Sequence, residues 1–146
     1  MTRIGWLATA VGLWGLVACT VPAVSADPQS DLAENEAQAA AEFWLWLVDS
    51  GDYAMSWKTS AVLFQEAIEK GDWDKTLKRV REPLGAVTSR KLKSKRYTHQ
   101  LPGAPDGEYV VVQYDTVFKN KASATETVTP MRQADGTWRI SGYYIQ

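Results

Sequence analysis

The sequence has almost none of the residues that metal sites, disulfides and thiol chemistry require. Its 146 residues include one cysteine, Cys19, and one histidine, His99. A transition-metal site needs several converging His, Cys or carboxylate ligands, and one His without HxxxH or CxxC spacing does not supply them. The sequence also has no GxSxG nucleophile motif and no glycine-rich phosphate loop. We therefore expect no metal, no cofactor and no disulfide.

Charge is nearly missing from the first 26 residues. Arg3 is the only charged side chain before Asp27, and an apolar stretch follows it from residue 4 to residue 18. This stretch is too short to span a bilayer comfortably, and the small residues Val24-Ser25-Ala26 after it suit a signal peptidase. We predict a signal peptide over residues 1–26, a single domain over residues 27–146, and a periplasmic or secreted protein.

The cleavage site has one alternative. Leu16-Val17-Ala18-Cys19 resembles a lipobox, in which Cys19 would carry a lipid anchor as the first residue of a lipoprotein. We favour cleavage after Ala26 because the segment beyond Cys19 is a well-formed cleavage region. Both interpretations leave the exported part without a free thiol, which suits an oxidising compartment.

The remaining chain divides into a helical half and a strand half. Apolar residues recur at helical spacing in the first half, and β-branched and aromatic residues with turn signals fill the second. Short links between consecutive strands require antiparallel pairing. We predict an α+β fold, with N-terminal helices packed on a curved four-stranded antiparallel meander. The predicted helices cover residues 31–49, 53–57, 60–69 and 72–80, and the strands cover 87–100, 108–118, 124–131 and 138–145.

Several segments together resemble a bacterial family known as domain of unknown function 4019. The segments are Phe43 to Tyr53, Ser56-Trp57, Arg81 to Gly85, Leu101 to Gly103, Asp106 to Tyr114, Glu126 to Met131 and Asp135 to Tyr144. The resemblance implies a cone-shaped fold of the NTF2-like or cystatin-like kind. It also implies export, which is usual among members, and the domain occurs beside regulatory DNA-binding domains. The family has no established activity, so it supplies no site residues.

The aromatic residues have two interpretations. Six of them could line a pocket between helices and sheet for a small apolar ligand: Trp44, Trp57, Phe64, Trp73, Tyr114 and Tyr144. Aromatic residues at helical and strand spacing more often fill the core, and we favour that interpretation. Trp44 and Trp138 are expected to be largely buried.

Carboxylates offer a second chemistry. In cone-shaped folds, one carboxylate in an apolar cavity can act as a proton shuttle. The candidates are Asp49, Asp115, Glu42 and Glu126, with Tyr109, Tyr114 or Tyr143 as donors to an oxyanion. Each carboxylate also fits a plain surface position, with Asp115 and Glu126 on the polar faces of their strands, and His99 fits an exposed strand end. We therefore expect a ligand- or protein-binding module, with a small acid–base enzyme as the alternative.

Basic residues crowd into one strand. Five lie within seven residues: Arg90, Lys91, Lys93, Lys95 and Arg96. Lysine at this density usually protects a sheet edge from pairing with other chains, and we expect that role first. A second interpretation is a basic stripe that meets an anionic surface or an envelope protein. We expect no nucleic-acid partner and no transmembrane helix after residue 26.

The export prediction is tested by locating the N-terminus. Because Val24 and Ala26 satisfy a signal peptidase, we expect the soluble periplasmic protein to begin at Asp27. N-terminal sequencing of the soluble and membrane fractions measures this. A lipidated Cys19 in the membrane fraction would overturn the cleavage site while leaving export intact.

Overall fold

The helices precede the strands along the chain. A computed structural model describes residues 27–146, and the predicted signal peptide with Cys19 lies outside the described residues. The helices are α1 Pro28–Asp49, α2 Tyr53–Lys58, α3 Val62–Ala67 and α4 Lys70–Leu84. The strands are β1 Val87–Thr98, β2 Tyr109–Phe118, β3 Lys121–Arg132 and β4 Trp138–Ile145.

The four strands form one open antiparallel sheet in the order β1-β2-β3-β4. The predicted α+β meander is therefore confirmed, and β1 and β4 are its two edges. Register shifts interrupt β1 between Leu92 and Ser94 and the β3–β4 pairing between Thr129 and Pro130. Such bulges bend strands and increase their twist. None of the described helices is both long enough and apolar enough to cross a membrane.

Helix α1 begins at Pro28, three residues before the predicted start, and packs on the sheet through small residues. The Asp27 carboxylate accepts a hydrogen bond from the backbone N–H of Gln29, and Pro28 occupies the first turn, where a missing N–H does no harm. Ala37 and Ala41 are completely buried. Their small side chains allow the helix to approach the sheet closely, and α1 contacts all four strands.

Helix α4 is longer at both ends than the sequence pattern predicts. It starts at Lys70, with Glu69 rather than Asp72 as its N-cap, and it continues through Pro83. Pro83 lacks the N–H that would bond the carbonyl four residues earlier, and the helix ends one residue later, at Leu84.

Gly85 ends α4 at a crowded position. Its φ is +74°, and a Cβ there would lie 3.1 Å from both the Lys119 Cβ and the Asn120 side-chain nitrogen. The Asn120 side chain donates to the Pro83 carbonyl at 3.0 Å, and its backbone N–H donates to the Leu84 carbonyl. Glycine is required here because both the positive φ and the close approach exclude a side chain.

Trp44 is the centre of the core between helices and sheet. It is 2% exposed, and its indole N–H donates to the Ser56 carbonyl and to the Ser60 hydroxyl. Its ring contacts the rings of Phe64, Trp73 and Tyr143. The burial predicted for Trp44 is confirmed.

The burial predicted for Trp138 is only partly met. Trp138 packs against the core while remaining partly exposed, and its indole nitrogen contacts Glu36 on α1 at 3.3 Å. The reason is its position at the start of edge strand β4, which has a neighbouring strand on one side only.

Truncation of Trp44 should be strongly destabilising. We expect Trp44→Ala to lower the free energy of unfolding by about 3–5 kcal/mol, because it leaves a large cavity and removes a hydrogen-bonded indole. Urea unfolding measures this. The matched control is Phe43→Ala, at a 57% exposed neighbour, which should cost less than about 1 kcal/mol. Equal losses in the two variants would contradict the assignment of Trp44 to the core.

Candidate functional site

Four charged side chains meet between the helices and the sheet. We call Asp49, Arg81, Arg90 and Glu126 the ion cluster. Arg81 donates to Asp49 at 2.6 Å and to Glu126 at 3.1 Å, and Arg90 donates to the same two carboxylates at 2.6 and 2.7 Å. The two positive and two negative charges balance, so the cluster presents no net charge for an ionic ligand.

Each member of the ion cluster comes from a different element. Asp49 is the last residue of α1, and Arg90 and Glu126 lie on β1 and β3. Arg81 continues the buried stripe of α4 that begins with Trp73 and Leu77, four residues apart. The cluster therefore ties α1 and α4 to strands β1 and β3.

Glu126 is the most enclosed member. It is completely buried. Its carboxylate accepts from Arg81, from Arg90, from the Thr116 hydroxyl at 2.6 Å and from the Tyr143 hydroxyl at 2.6 Å. A carboxylate offers about four lone-pair sites, and these donors occupy them.

The surroundings of the cluster shift the pKa values of its donors. Burial raises the pKa of the Tyr143 hydroxyl well above its usual value, and the negative charge of Glu126 raises it further. Burial lowers the pKa of Arg90, but hydrogen bonds to Asp49 and Glu126 more than offset that effect, so the net shift is upward. Tyr143 therefore remains a hydrogen-bond donor and Arg90 remains charged.

A second feature is an open cleft of about 390 Å³ on the other side of α1. We call it the aromatic cleft. Its walls are Ala40, Phe43 and Trp44 of α1, then Met55, Lys58 and Thr59 around the end of α2, and residues 137–140 at the start of β4. The cleft thus lies between two helices and the free edge of the sheet.

Phe43 lines this cleft, and Trp46 lies beside Phe43 outside the cleft walls. Phe43 and Trp46 are 57% and 60% exposed, and their rings stack with centroids 6.0 Å apart. Met55, across the cleft, is also exposed. Single exposed apolar residues need no explanation, but adjoining ones beside a cleft make this face a candidate interaction surface.

The six predicted pocket residues lie in different surroundings. Trp44, Phe64, Trp73 and Tyr114 are buried in the core, Trp57 is partly buried, and Tyr144 is 51% exposed. Trp44 lines the aromatic cleft. Trp73 and Tyr144 line a separate cavity of about 230 Å³ between α4 and β4.

The basic stretch of β1 does not act as one surface. Lys91, Lys93 and Arg96 are exposed, and β1 is an edge strand as predicted. Lys95 is held by Asn35 and Gln38 of α1. Arg90 belongs to the ion cluster instead, because the register pairs it with Thr116, whose side chain faces the helices.

The prediction that Glu126 lies on a polar strand face is wrong. It shares the inward face of β3 with Ala124 and Val128, and its buried charge is offset by Arg81 and Arg90. The sequence signal for the inward position of Glu126 was its spacing of two residues from Val128, because alternate residues of a strand share a face. Arg81 was missed as well, although its spacing from Trp73 and Leu77 places it on the buried face of α4.

Of the other predicted chemical residues, Asp49 and Tyr143 join Glu126, and Tyr114 is its register partner on β2. Glu42 and Asp115 are exposed, and the buried Tyr109 hydroxyl donates to the Pro105 carbonyl. Burial raises the pKa of the Tyr114 hydroxyl, as does the charge of Glu42. His99 contacts the Tyr97 hydroxyl at a strand end. Within residues 27–146, no group of three or more His, Cys, Asp or Glu residues is arranged to hold a metal ion.

Removal of the Glu126 charge should destabilise the fold. We expect Glu126→Gln to lower the free energy of unfolding by about 3–5 kcal/mol, because Arg81 and Arg90 would then share only Asp49. Urea unfolding measures this. Glu42→Gln, at an exposed site, is the matched control and should cost less than about 0.5 kcal/mol. A loss below 1 kcal/mol for Glu126→Gln would refute the role assigned to the cluster.

Comparison with known proteins identifies a family without a known activity. No curated protein and no solved structure matches the chain. The profile of one family, described as protein of unknown function DUF4019, matches residues 40–143. This range covers the second half of α1, the remaining helices and most of the sheet, and it includes both the ion cluster and the aromatic cleft. The chain belongs to the DUF4019 family.

Proposed function

We propose that this protein is an exported binding module that takes an apolar group into the aromatic cleft. The observation that carries this proposal is the apolar cleft itself, whose wall includes the exposed ring of Phe43, which stacks on the exposed ring of Trp46 beside it. Burial of exposed apolar surface is favourable by about 25 cal/mol per Å², so an apolar partner gains binding energy at this place.

The size of the cleft suits a side chain or a small molecule. Its volume of about 390 Å³ falls within the roughly 300–1,000 Å³ typical of ligand pockets. The cleft is open on one side, which favours a ligand that projects from it over a ligand that is fully enclosed. An apolar side chain of an envelope protein fits this description, as does a small aromatic molecule.

The walls of the cleft are held in place before any ligand binds. Trp44 is anchored through its indole N–H, and the backbone N–H of Ala61 donates to the Ile140 carbonyl at 2.8 Å. These bonds fix α1 and β4 relative to the segment between α2 and α3. A preformed site loses less conformational entropy on binding than a site that must become ordered.

Catalysis is the less favoured alternative. A proton shuttle needs a carboxylate with a free lone pair directed at the substrate. The oxygens of Glu126 already accept from Arg81, Arg90, Thr116 and Tyr143. We therefore assign the ion cluster a structural role and the aromatic cleft the functional one.

The export of the protein and the similarity of its fold to a cone-shaped fold are part of the proposal. The apolar N-terminal segment and Val24-Ser25-Ala26 support export to the periplasm or beyond, with lipidation at Cys19 as the alternative. Helices packed on an open antiparallel sheet are compatible with an NTF2-like or cystatin-like cone. An anionic surface remains a secondary partner for the exposed bases of β1.

A hydrophobic fluorescent dye tests the proposed binding site. We expect the aromatic sulfonate dye ANS to bind the folded chain, and Phe43→Ala to weaken that binding about five- to tenfold, because one aromatic contact is worth about 1 kcal/mol. Titration of dye fluorescence measures the affinity, and circular dichroism verifies that each variant is folded.

The matched control is Leu32→Ala. Leu32 is 60% exposed on the same helix and lies outside the cleft walls. This variant should bind the dye as the unaltered chain does. If the two substitutions weakened dye binding equally, the dye would be binding to exposed apolar surface in general, and the proposal would fail.

A further inference from the structure

We propose that the ligand of the aromatic cleft is a small apolar acid, whose apolar part fills the cleft and whose carboxylate lies at Lys58 and Lys70. This inference rests on the proposed function and specifies the chemical class of its ligand. Ligand sites typically combine apolar walls with a few placed polar or charged groups, which fix the orientation of the ligand.

A second cavity adjoins the aromatic cleft. It has a volume of about 430 Å³, and it shares Met55 and Lys58 with the cleft as lining residues. Its other lining residues are Asp52, Ala54, Trp57 and Lys70. We call it the lysine cavity. A molecule that lies over Met55 can therefore contact both cavities, one with each of its ends.

The two cavities differ in charge. None of the residues that line the aromatic cleft is acidic, and several are large and apolar. The lysine cavity is lined by two bases, Lys58 and Lys70, and by one acid, Asp52. The Asp52 carboxylate caps helix α2, since it accepts a hydrogen bond from the Met55 N–H at 3.1 Å. An apolar group is thus favoured in the cleft, and an anionic group is favoured in the lysine cavity.

Neither lysine is neutralised by a carboxylate. Lys58 and Lys70 are both exposed, and neither forms an ion pair with another residue of the described part of the chain. Further along α4, Lys78 does pair, with Asp74 at 2.8 Å. A lysine ammonium has three donors on a flexible four-carbon stem, so both side chains can turn toward a bound carboxylate.

Arg139 also lines the aromatic cleft, but we do not assign it to the ligand. Its guanidinium lies 3.6 Å from the Asp135 carboxylate. It alternates with Trp138 and Ile140 along β4, so its side chain is directed to the other face of the sheet. The acid is therefore oriented by the end of α2, with its carboxylate toward Lys58.

This arrangement discriminates between ligands by their charge. A neutral apolar molecule would gain only the contacts of the cleft, and an apolar amine would meet two like charges. Exposed ion pairs are individually weak and are screened by salt. The two lysines should therefore favour an acid over its neutral analogue severalfold, and the cleft should supply most of the affinity.

Two naphthalene compounds of matched size test this inference. Naphthoate carries a carboxylate, and naphthamide carries a neutral amide on the same ring. Isothermal titration calorimetry with the full chain measures both affinities. We expect naphthoate to bind about fivefold more tightly than naphthamide at low ionic strength, because two exposed ion pairs contribute. The difference should disappear at about 1 M salt, where charges are screened beyond ~3 Å.

Charge-changing variants locate the carboxylate. Lys58→Glu should abolish the preference for naphthoate and leave naphthamide binding unchanged, and the milder Lys58→Gln should reduce the preference. The matched control is Lys91→Glu, which makes the same change of charge at an exposed residue of β1 that lines neither cavity. Circular dichroism verifies that each variant is folded. Equal affinities of the two compounds, or equal effects of Lys58→Glu and Lys91→Glu, would overturn the assignment of an acid.

Phe43→Ala separates this inference from the proposed function. If both compounds bind equally and Phe43→Ala weakens both, the apolar site stands and the acid is overturned. If neither compound responds to Phe43→Ala, the site in the cleft is overturned together with the acid. Sedimentation with phosphatidylglycerol vesicles that Lys58→Glu abolishes would identify a lipid headgroup as the anion and overturn the commitment to a small acid.

Discussion

The pairing of the completely buried Glu126 with Arg81 and Arg90 is the constraint on which the rest of the fold depends. A lone carboxylate in a protein interior is strongly unfavourable, so burial of Glu126 between the sheet and the helices requires the guanidinium groups of Arg81 and Arg90. Arg81 also binds Asp49 at the end of α1. The positions of α1, α4, β1 and β3 therefore depend on one another, because displacement of any one of these elements would leave a buried charge unpaired.

This constraint does not involve the side of α1 that carries the proposed binding site. The C-terminal end of α1 is fixed through Asp49, and its middle is fixed through the Trp44 indole. Phe43 and Trp46 can then remain exposed without being needed for stability. Residues that leave large apolar side chains in water without a structural benefit are the ones expected to act in recognition. Trp44 and Phe43 are neighbours on α1 and differ in this way: Trp44 is buried in the core, and Phe43 is exposed to solvent.

The asymmetry of the sheet edges has a physical consequence for association. An open sheet always has two edges, and unprotected edges tend to pair with other chains. The bases of β1 exclude such pairing on one side. On the other side, the Ala61 N–H occupies the Ile140 carbonyl of β4, and β4 is bulged between Ile140 and Gly142. Both edges therefore carry features that disfavour edge-to-edge pairing.

The order of helices and strands, the edge position of β1, the burial of Trp44 and the family were determined by the sequence alone. Local periodicity and turn residues act over a few positions, so they can be read along the chain. The partners of Glu126 could not be read in this way, because Arg81 and Arg90 lie 45 and 36 residues away. The aromatic cleft likewise joins α1 to residues nearly a hundred positions later. Only the tertiary structure decided these features, since burial of a charge or exposure of a ring depends on which distant elements cover it.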